Sequence, residues 1–135
     1  RIPEIVSSVD ILPTVLDLAG LDVPTALQGR SLTPFLTTRF SEPLHHFVAS
    51  ECTGVGGKLG IGHRMVVTKS WKYILTDVNE EALFNLERDP YEMDNLINQS
   101  RYAAIIRMLR RHYWEWRQMV GDRKPFNLHG AKHDR

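Results

Sequence analysis

The stretch HRMVVTKSWKYILT, residues 63–76, contains two short segments rich in β-branched, aromatic and aliphatic side chains. RMVVT and KYILT flank the tripeptide KSW. Residues of these types favour strands, and a short polar interruption between two such runs favours a tight turn. The stretch therefore predicts two antiparallel strands with a turn around residues 69–71.

Two further strands are predicted on either side of this hairpin. HFVASE, residues 46–51, precedes it, and Ala82 to Leu86 follows it and ends at the turn RDPYE. The segment CTGVGGKLGIG, residues 52–62, carries five glycines and is predicted as a loop or hairpin tip. Four short strands with short connections favour an antiparallel sheet.

A long helix is predicted from Gln99 or Ser100 to Met119, ended by Gly121. It is the only long amphipathic element left to cover one face of the sheet, so the fold class is α+β. We expect the arginines at 107, 110, 111 and 117 to lie largely off its apolar face. That face is formed by Tyr102, Ile105, Ile106, Leu109, Tyr113, Trp116 and Val120.

The segment SSVDILPTVLDLAG, residues 7–20, has apolar residues at helical spacing. Proline is harmless in the first turn of a helix, so Pro13 is expected near the start, and Gly20 is expected to end it. Ser7, Ser8 or Asp10 would cap it. An irregular connector follows, with a short helical turn near residues 31–36.

Composition excludes several functional classes. The chain has 135 residues and a net charge of +1, so no global field favours nucleic acid. No apolar run is long enough to span a membrane. The single Cys52 cannot form an internal disulfide.

Because the sequence starts at Arg1 without Met, we expect it to be part of a longer polypeptide, and its compartment stays undecided.

A search for catalytic motifs finds none. The sequence has no nucleophile elbow, P-loop, dinucleotide glycine pattern or zinc-binding HExxH. His45 and His46 are neighbours that would point to opposite sides of a strand, and Cys52 has no adjacent base. The acidic stretch ERDPYEMDNL is expected to form a structural turn rather than a cation site. We therefore predict no catalytic and no metal-binding residue in this chain.

Three stretches in this order resemble the C-terminal part of a sulfatase of the alkaline-phosphatase superfamily. They are VSSVDILPTVLDLAGLDVP with LQGRSLTPFL, then HRMVVTKSWKYI, then EALFNLERDPYEMDNLIN. The resemblance implies that residues 1–40 close an N-terminal α/β catalytic domain and form a connector. It implies that residues 41–121 form a C-terminal subdomain of a four-stranded antiparallel sheet packed by the long helix, and that 122–135 form a tail.

The resemblance also implies the chemistry of the parent protein. Sulfatases hydrolyse sulfate esters, here those of a small molecule or a carbohydrate, with a Ca²⁺ ion and a formylglycine matured from Cys or Ser. Those residues belong to the N-terminal domain, so the present chain alone is expected to be inactive. Its expected partners are that missing domain and, through exposed apolar surface, a second copy of the chain.

Loops of the C-terminal part border the substrate cleft in such enzymes. Three residues are therefore candidates for binding substrate, His63 and Arg64 beside the glycine-rich loop and Trp71 at the hairpin tip. The alternative for Arg64 is an ion pair with an acidic residue of the sheet. Two other functions stay open: a phosphonate or phosphate ester hydrolase of the same superfamily, and a stand-alone binding module.

Overall fold

A computed structural model describes residues 4–37, 43–53, 62–76, 78 and 80–123. The chain forms two compact units, Arg1–Val48 and Ala49–Arg135. The predicted domain boundary after residue 40, most of the predicted tail and most of the glycine-rich loop lie outside the described residues.

The first unit contains a 3₁₀ turn, Ser8–Asp10, followed by helix α1, Ile11–Leu18, and the short helix α2, Thr33–Thr37. Pro13 is the third residue of α1, where a backbone N–H would have no acceptor within the helix. Gly20 has a φ of +69° just beyond the end of α1. The predicted start and end of this helix are therefore confirmed. Pro13 lies in the first turn, and Gly20 adopts the left-handed conformation that ends many helices.

The second unit is built on a four-stranded sheet of order β1-β2-β3-β4. The strands are β1, Val48–Thr53; β2, Gly62–Val67; β3, Trp71–Thr76; and β4, Glu81–Asn85. The β2–β3 and β3–β4 pairs are antiparallel. The predicted sheet is confirmed, with strand ends shifted by one or two residues.

The register of the strands places the core on one face of the sheet. Val66 lies opposite Tyr73, and Tyr73 lies opposite Leu83. Side chains alternate between the two faces of a strand, so these three and Leu75 face the same way. All four are buried, together with Ile106, Leu109 and Tyr113 of the long helix.

The long helix α3, Ala103–Val120, follows a 3₁₀ turn, Ser100–Tyr102, and contacts β2. Gly121, with a φ of +68°, ends it as predicted. The expectation that Arg117 lies off the apolar face is wrong: its side chain is buried. Arg117 follows Tyr113 by four residues and so lies on the same side of the helix.

The free edge of β4 is covered by the segment that follows it. The Asn95 side-chain oxygen accepts a hydrogen bond from the Leu83 N–H at 3.0 Å. The Leu96 N–H donates to the Leu83 carbonyl at 2.8 Å. Both backbone groups of Leu83 that point away from β3 therefore have partners.

Candidate functional site

The carboxylate of Asp10 is the centre of a buried polar cluster in the first unit. It accepts hydrogen bonds from the backbone N–H of Ser7 at 2.7 Å and of Arg30 at 2.9 Å. His45 Nε2 lies 2.9 Å from the same carboxylate. Asp10 thus joins the start of α1 to Arg30 of the connector and to His45, shortly before β1.

The environment of Asp10 keeps its carboxylate ionised. Burial alone would raise the pKa of Asp10, but the hydrogen bonds from Arg30, Ser7 and His45 together lower it below the usual value. Every neighbour of the carboxylate is a donor that also holds a chain segment. The cluster is therefore suited to fixing the path of the chain rather than to proton transfer.

Two more contacts dock the connector, one on α1 and one on the 3₁₀ turn before it. Thr14 Oγ1 donates to the Asp10 carbonyl at 2.6 Å and accepts from the Leu32 N–H at 2.9 Å. Gly29 passes so close to the 3₁₀ turn before α1 that a β-carbon would lie 1.9 Å from the Val9 carbonyl oxygen. Only glycine permits this approach of two backbones.

Arg64, one of the predicted substrate-binding residues, is buried in the second unit. Its guanidinium lies 3.5 Å from Glu51 and 3.4 Å from Asp122. Asp122 also lies 3.0 Å from Arg117. Two buried guanidinium groups are thus matched by two carboxylates, which is the ion-pair alternative considered for Arg64.

His63 and Trp71 lie at opposite ends of the β2–β3 hairpin. His63 is paired with Thr76 at the end of β3, whereas Trp71 is the first residue of β3. At a rise of ~3.3 Å per residue, the two ends of β3 lie about 16 Å apart. His63 is half-buried and faces away from Arg64 because neighbours in a strand alternate. Trp71 is not free at a tip: its ring packs 5.3 Å from that of Tyr102. The three predicted residues therefore do not share one site, and their substrate role stays a prediction.

A second polar network joins the sheet to α3. The Tyr73 hydroxyl donates to Glu81 at 2.8 Å, and Arg110 Nη2 contacts both oxygens of Glu81 at 2.7 and 2.6 Å. Burial raises the pKa of Tyr73 well above its usual value. Sequence reasoning missed this network, and the only signal for it was the arginine at a helix position that could reach the sheet.

The acidic stretch after β4 forms a turn, as predicted. Asp89 accepts a hydrogen bond from the Asp94 N–H at 2.9 Å. The pKa of Asp89 is lowered, chiefly by the N–H groups of Asp94 and Met93. Glu92 forms an ion pair with Lys72, at 2.7 Å.

No metal-binding group stands out in the part of the chain that the structure describes. There, no three His, Cys, Asp or Glu side chains are close enough together to hold an ion. Among the same residues, no helix is both long and apolar enough to cross a membrane. The described polar clusters are paired internally and link secondary-structure elements to one another.

Comparison with known proteins gives a consistent result. The family model for the C-terminal region of N-sulphoglucosamine sulphohydrolase matches residues 1–119. A Delta 4,5-hexuronate-2-O-sulfatase of Bacteroides thetaiotaomicron is 34% identical over 100 residues, covering 73% of this chain and 21% of that protein.

Solved structures agree with the sequence matches. A 2-O GAG sulfatase superposes with a TM-score of 0.78 at 32% identity, over 84% of this chain and 25% of its own. A structure solved with its substrate D-glucosamine-2-N,6-O-disulfate superposes with a TM-score of 0.76 at 26% identity, over 88% of this chain and 25% of its own. The phosphonate monoester hydrolase of Agrobacterium radiobacter shares the fold, with a TM-score of 0.71 at 23% identity, over 86% of this chain and 25% of its own. The chain therefore spans about a quarter of the length of these proteins.

Proposed function

The chain belongs to the family of N-sulphoglucosamine sulphohydrolase C-terminal domains, and from this we propose that it is the C-terminal part of a sulfatase that hydrolyses sulfate esters. The observation that carries the proposal is the match over residues 1–119, which includes α1, the connector, the sheet and nearly all of α3. The phosphonate hydrolase alternative has weaker support, because that likeness extends to the fold alone.

A sulfated carbohydrate is the substrate class that we propose for the whole enzyme. One relative is named for a hexuronate 2-O-sulfate, and one similar structure holds a disulfated glucosamine. Both names concern sulfate groups on sugar rings. A simple aryl sulfate would then be a poorer substrate than a sulfated uronic acid or glucosamine.

We propose that the reactive groups lie in a part of the enzyme outside these residues. There, a formylglycine and a Ca²⁺ ion held by oxygen ligands would stabilise the charge that builds up on the sulfate group. Within this chain, the described polar side chains act on the fold: Asp10 holds the connector, and Glu81 holds α3 to the sheet. The chain alone is accordingly expected to have no turnover.

The role we propose for α1 is to pack against the catalytic part. Its side chains Ile11, Leu12, Val15 and Leu18 are each more than half exposed. A continuous apolar strip of this kind marks an interaction surface. If no catalytic part is present, the same strip could pair two copies of the chain, which light scattering of the isolated chain would detect.

Of the three residues predicted to bind substrate, His63 is the one that we propose contacts the substrate. It is half-buried and directly follows the glycine-rich loop, whereas Arg64 and Trp71 already have partners within the second unit. A His63→Ala change in the whole enzyme should raise KM for a sulfated sugar more than it lowers kcat.

The test is to clone the gene with its upstream sequence and to assay the product. Sulfate release from 2-O-sulfated hexuronate and from N,6-O-disulfated glucosamine is compared with hydrolysis of a phenyl phosphonate monoester. We expect sulfate release by the longer protein and none by the 135-residue chain. Preferred hydrolysis of the phosphonate would favour the alternative function, and turnover by the short chain would overturn the proposal.

A further inference from the structure

Two apolar side chains stand out from the surface of the turn that follows β4. Tyr91 is 85% exposed and Met93 is 80% exposed. They are the two most exposed large hydrophobic residues in the part of the chain that the structure describes. Isolated exposed apolar residues are ordinary, but two beside one constrained turn call for a physical reason.

The residue between them adopts a strained backbone conformation. Glu92 has a φ of +58°, and no other non-glycine residue that the structure describes has a positive φ. Such a conformation costs of the order of 1 kcal/mol or more for a residue with a β-carbon. It persists only where surrounding contacts enforce it.

Those contacts are present, and they come from the turn itself and from β3. Lys72 Nζ lies 2.8 and 2.7 Å from the two carboxylate oxygens of Glu92. The Glu92 N–H donates to the Asp89 carbonyl at 3.1 Å, and the Asp94 N–H donates to the Asp89 carboxylate at 2.9 Å. These contacts thus hold the turn in place at Glu92 and on both sides of it, whereas the side chains of Tyr91 and Met93 are exposed.

We propose that Tyr91 and Met93 are a docking contact for the catalytic part of the enzyme, the strained Glu92 being the device that holds both side chains outward. The inference rests on the proposed function, because it assumes a longer polypeptide. It adds a second anchoring point to the strip on α1, on a different compact unit of the chain.

The size of the patch decides between the possible occupants. An aromatic side chain buries about 150–250 Å², so Tyr91 and Met93 together would bury about 300 Å² on their own side. A stable complex of two separate molecules buries about 1,200–2,000 Å² in total. The patch is too small to hold a second copy, but it suits a contact within one polypeptide, where the covalent link supplies a high effective concentration.

The test is methionine oxidation by hydrogen peroxide, followed by mass spectrometry of peptides. Met119, at the end of α3, is 70% exposed and serves as the internal control. In the 135-residue chain, both Met93 and Met119 should oxidise rapidly, because oxidation follows exposure. In the longer protein, Met93 should be slowed about tenfold or more relative to Met119.

Equal rates for Met93 in the short and the long protein, relative to Met119, would overturn the proposal. So would protection of Met93 that appears in the short chain as its concentration rises, since that outcome identifies a second copy as the occupant. Sulfate release is measured separately, so a longer protein that protects Met93 without sulfatase activity would contradict the proposed function and leave the docking contact standing.

A paired substitution provides a second readout. Tyr91→Ser with Met93→Ser should leave the melting temperature of the short chain unchanged, because neither side chain is packed there. It should lower the melting temperature of the longer protein, whereas Met119→Ser should change neither. A longer protein that melts at the same temperature with and without the paired change would contradict the proposal.

Discussion

Arg110 of α3 and Glu81 of β4 are joined by two short contacts, from Nη2 to both carboxylate oxygens at 2.7 and 2.6 Å. Glu81 also accepts a hydrogen bond from the hydroxyl group of Tyr73. One carboxylate of β4 therefore binds both α3 and the neighbouring strand β3, and its removal should weaken both attachments.

Glu81→Ala should destabilise the chain by about 2 kcal/mol, because it leaves a buried hydroxyl and a guanidinium without their acceptor. Urea unfolding at pH 7 measures the change. Glu80→Ala, which removes an exposed neighbouring carboxylate, should have an effect within ~0.5 kcal/mol. Combining Glu81→Ala with Arg110→Met should cost less than the sum of the two changes, and full additivity would argue against coupling.

Asp10→Asn should cost about 3 kcal/mol at pH 7, because the amide cannot accept from all three donors around it. The pKa of Asp10 is lowered in the folded chain, so the stabilisation is present above the unfolded value of about 3.9 and is lost as the pH falls through the folded value. The difference in stability between wild type and variant should therefore begin to shrink below about pH 4 and shrink further as the pH falls. The exposed Asp22→Asn variant should follow wild type throughout, and an undiminished gap at pH 2 would contradict this reading.

Gly29→Ala should prevent the connector from docking on the 3₁₀ turn before α1, since the new β-carbon would meet the Val9 carbonyl oxygen at 1.9 Å. We expect a loss of about 3 kcal/mol or more. Gly20→Ala is the matched control, because a β-carbon there meets nothing within 4 Å and only the positive φ opposes it. It should cost about 1 kcal/mol. Thermal unfolding followed by circular dichroism should rank the two, and equal losses would show that the close approach is not required.

Tyr73 should resist ionisation in alkali. Burial raises the pKa of Tyr73 in the folded chain, partly offset by the hydrogen bond from Arg110. A raised folded pKa stabilises the chain fully below the unfolded value of about 10, and this stabilisation is lost as the pH rises beyond it. Between pH 9 and 11, Tyr73→Phe should therefore lose less stability than wild type, with the exposed Tyr91→Phe as control. Parallel pH profiles for wild type and Tyr73→Phe would rule out this role.

The elements of the fold follow from local rules, and so they could be predicted. Pro13 and Gly20 satisfy the geometry of helix ends, and the hairpin of β2 and β3 follows from strand-forming side chains around a short polar break. Each of these signals involves residues close together in the sequence.

The partners in the polar contacts could not be predicted, because these contacts join residues that are distant in the sequence. Asp10 meets His45 across 35 positions, and Arg64 meets Asp122 across 58. The burial of Arg117 was missed because a charged residue at a helix position is ordinarily assigned to the surface. Its pairing with Asp122, just past the end of the same helix, is what allows it to be buried.

The covered edge of β4 has a consequence for the behaviour of the chain at high concentration. An unpaired strand edge is a template on which other chains add, in domain swapping and in fibril growth. Asn95 and Leu96 bind the N–H and carbonyl groups of Leu83 that point away from β3. A second chain can therefore pair with β4 at Leu83 only after the segment containing Asn95 and Leu96 has detached from β4. Replacing Asn95 with alanine would uncover the Leu83 N–H, and should make thioflavin-positive aggregates form faster than they do from the unchanged chain.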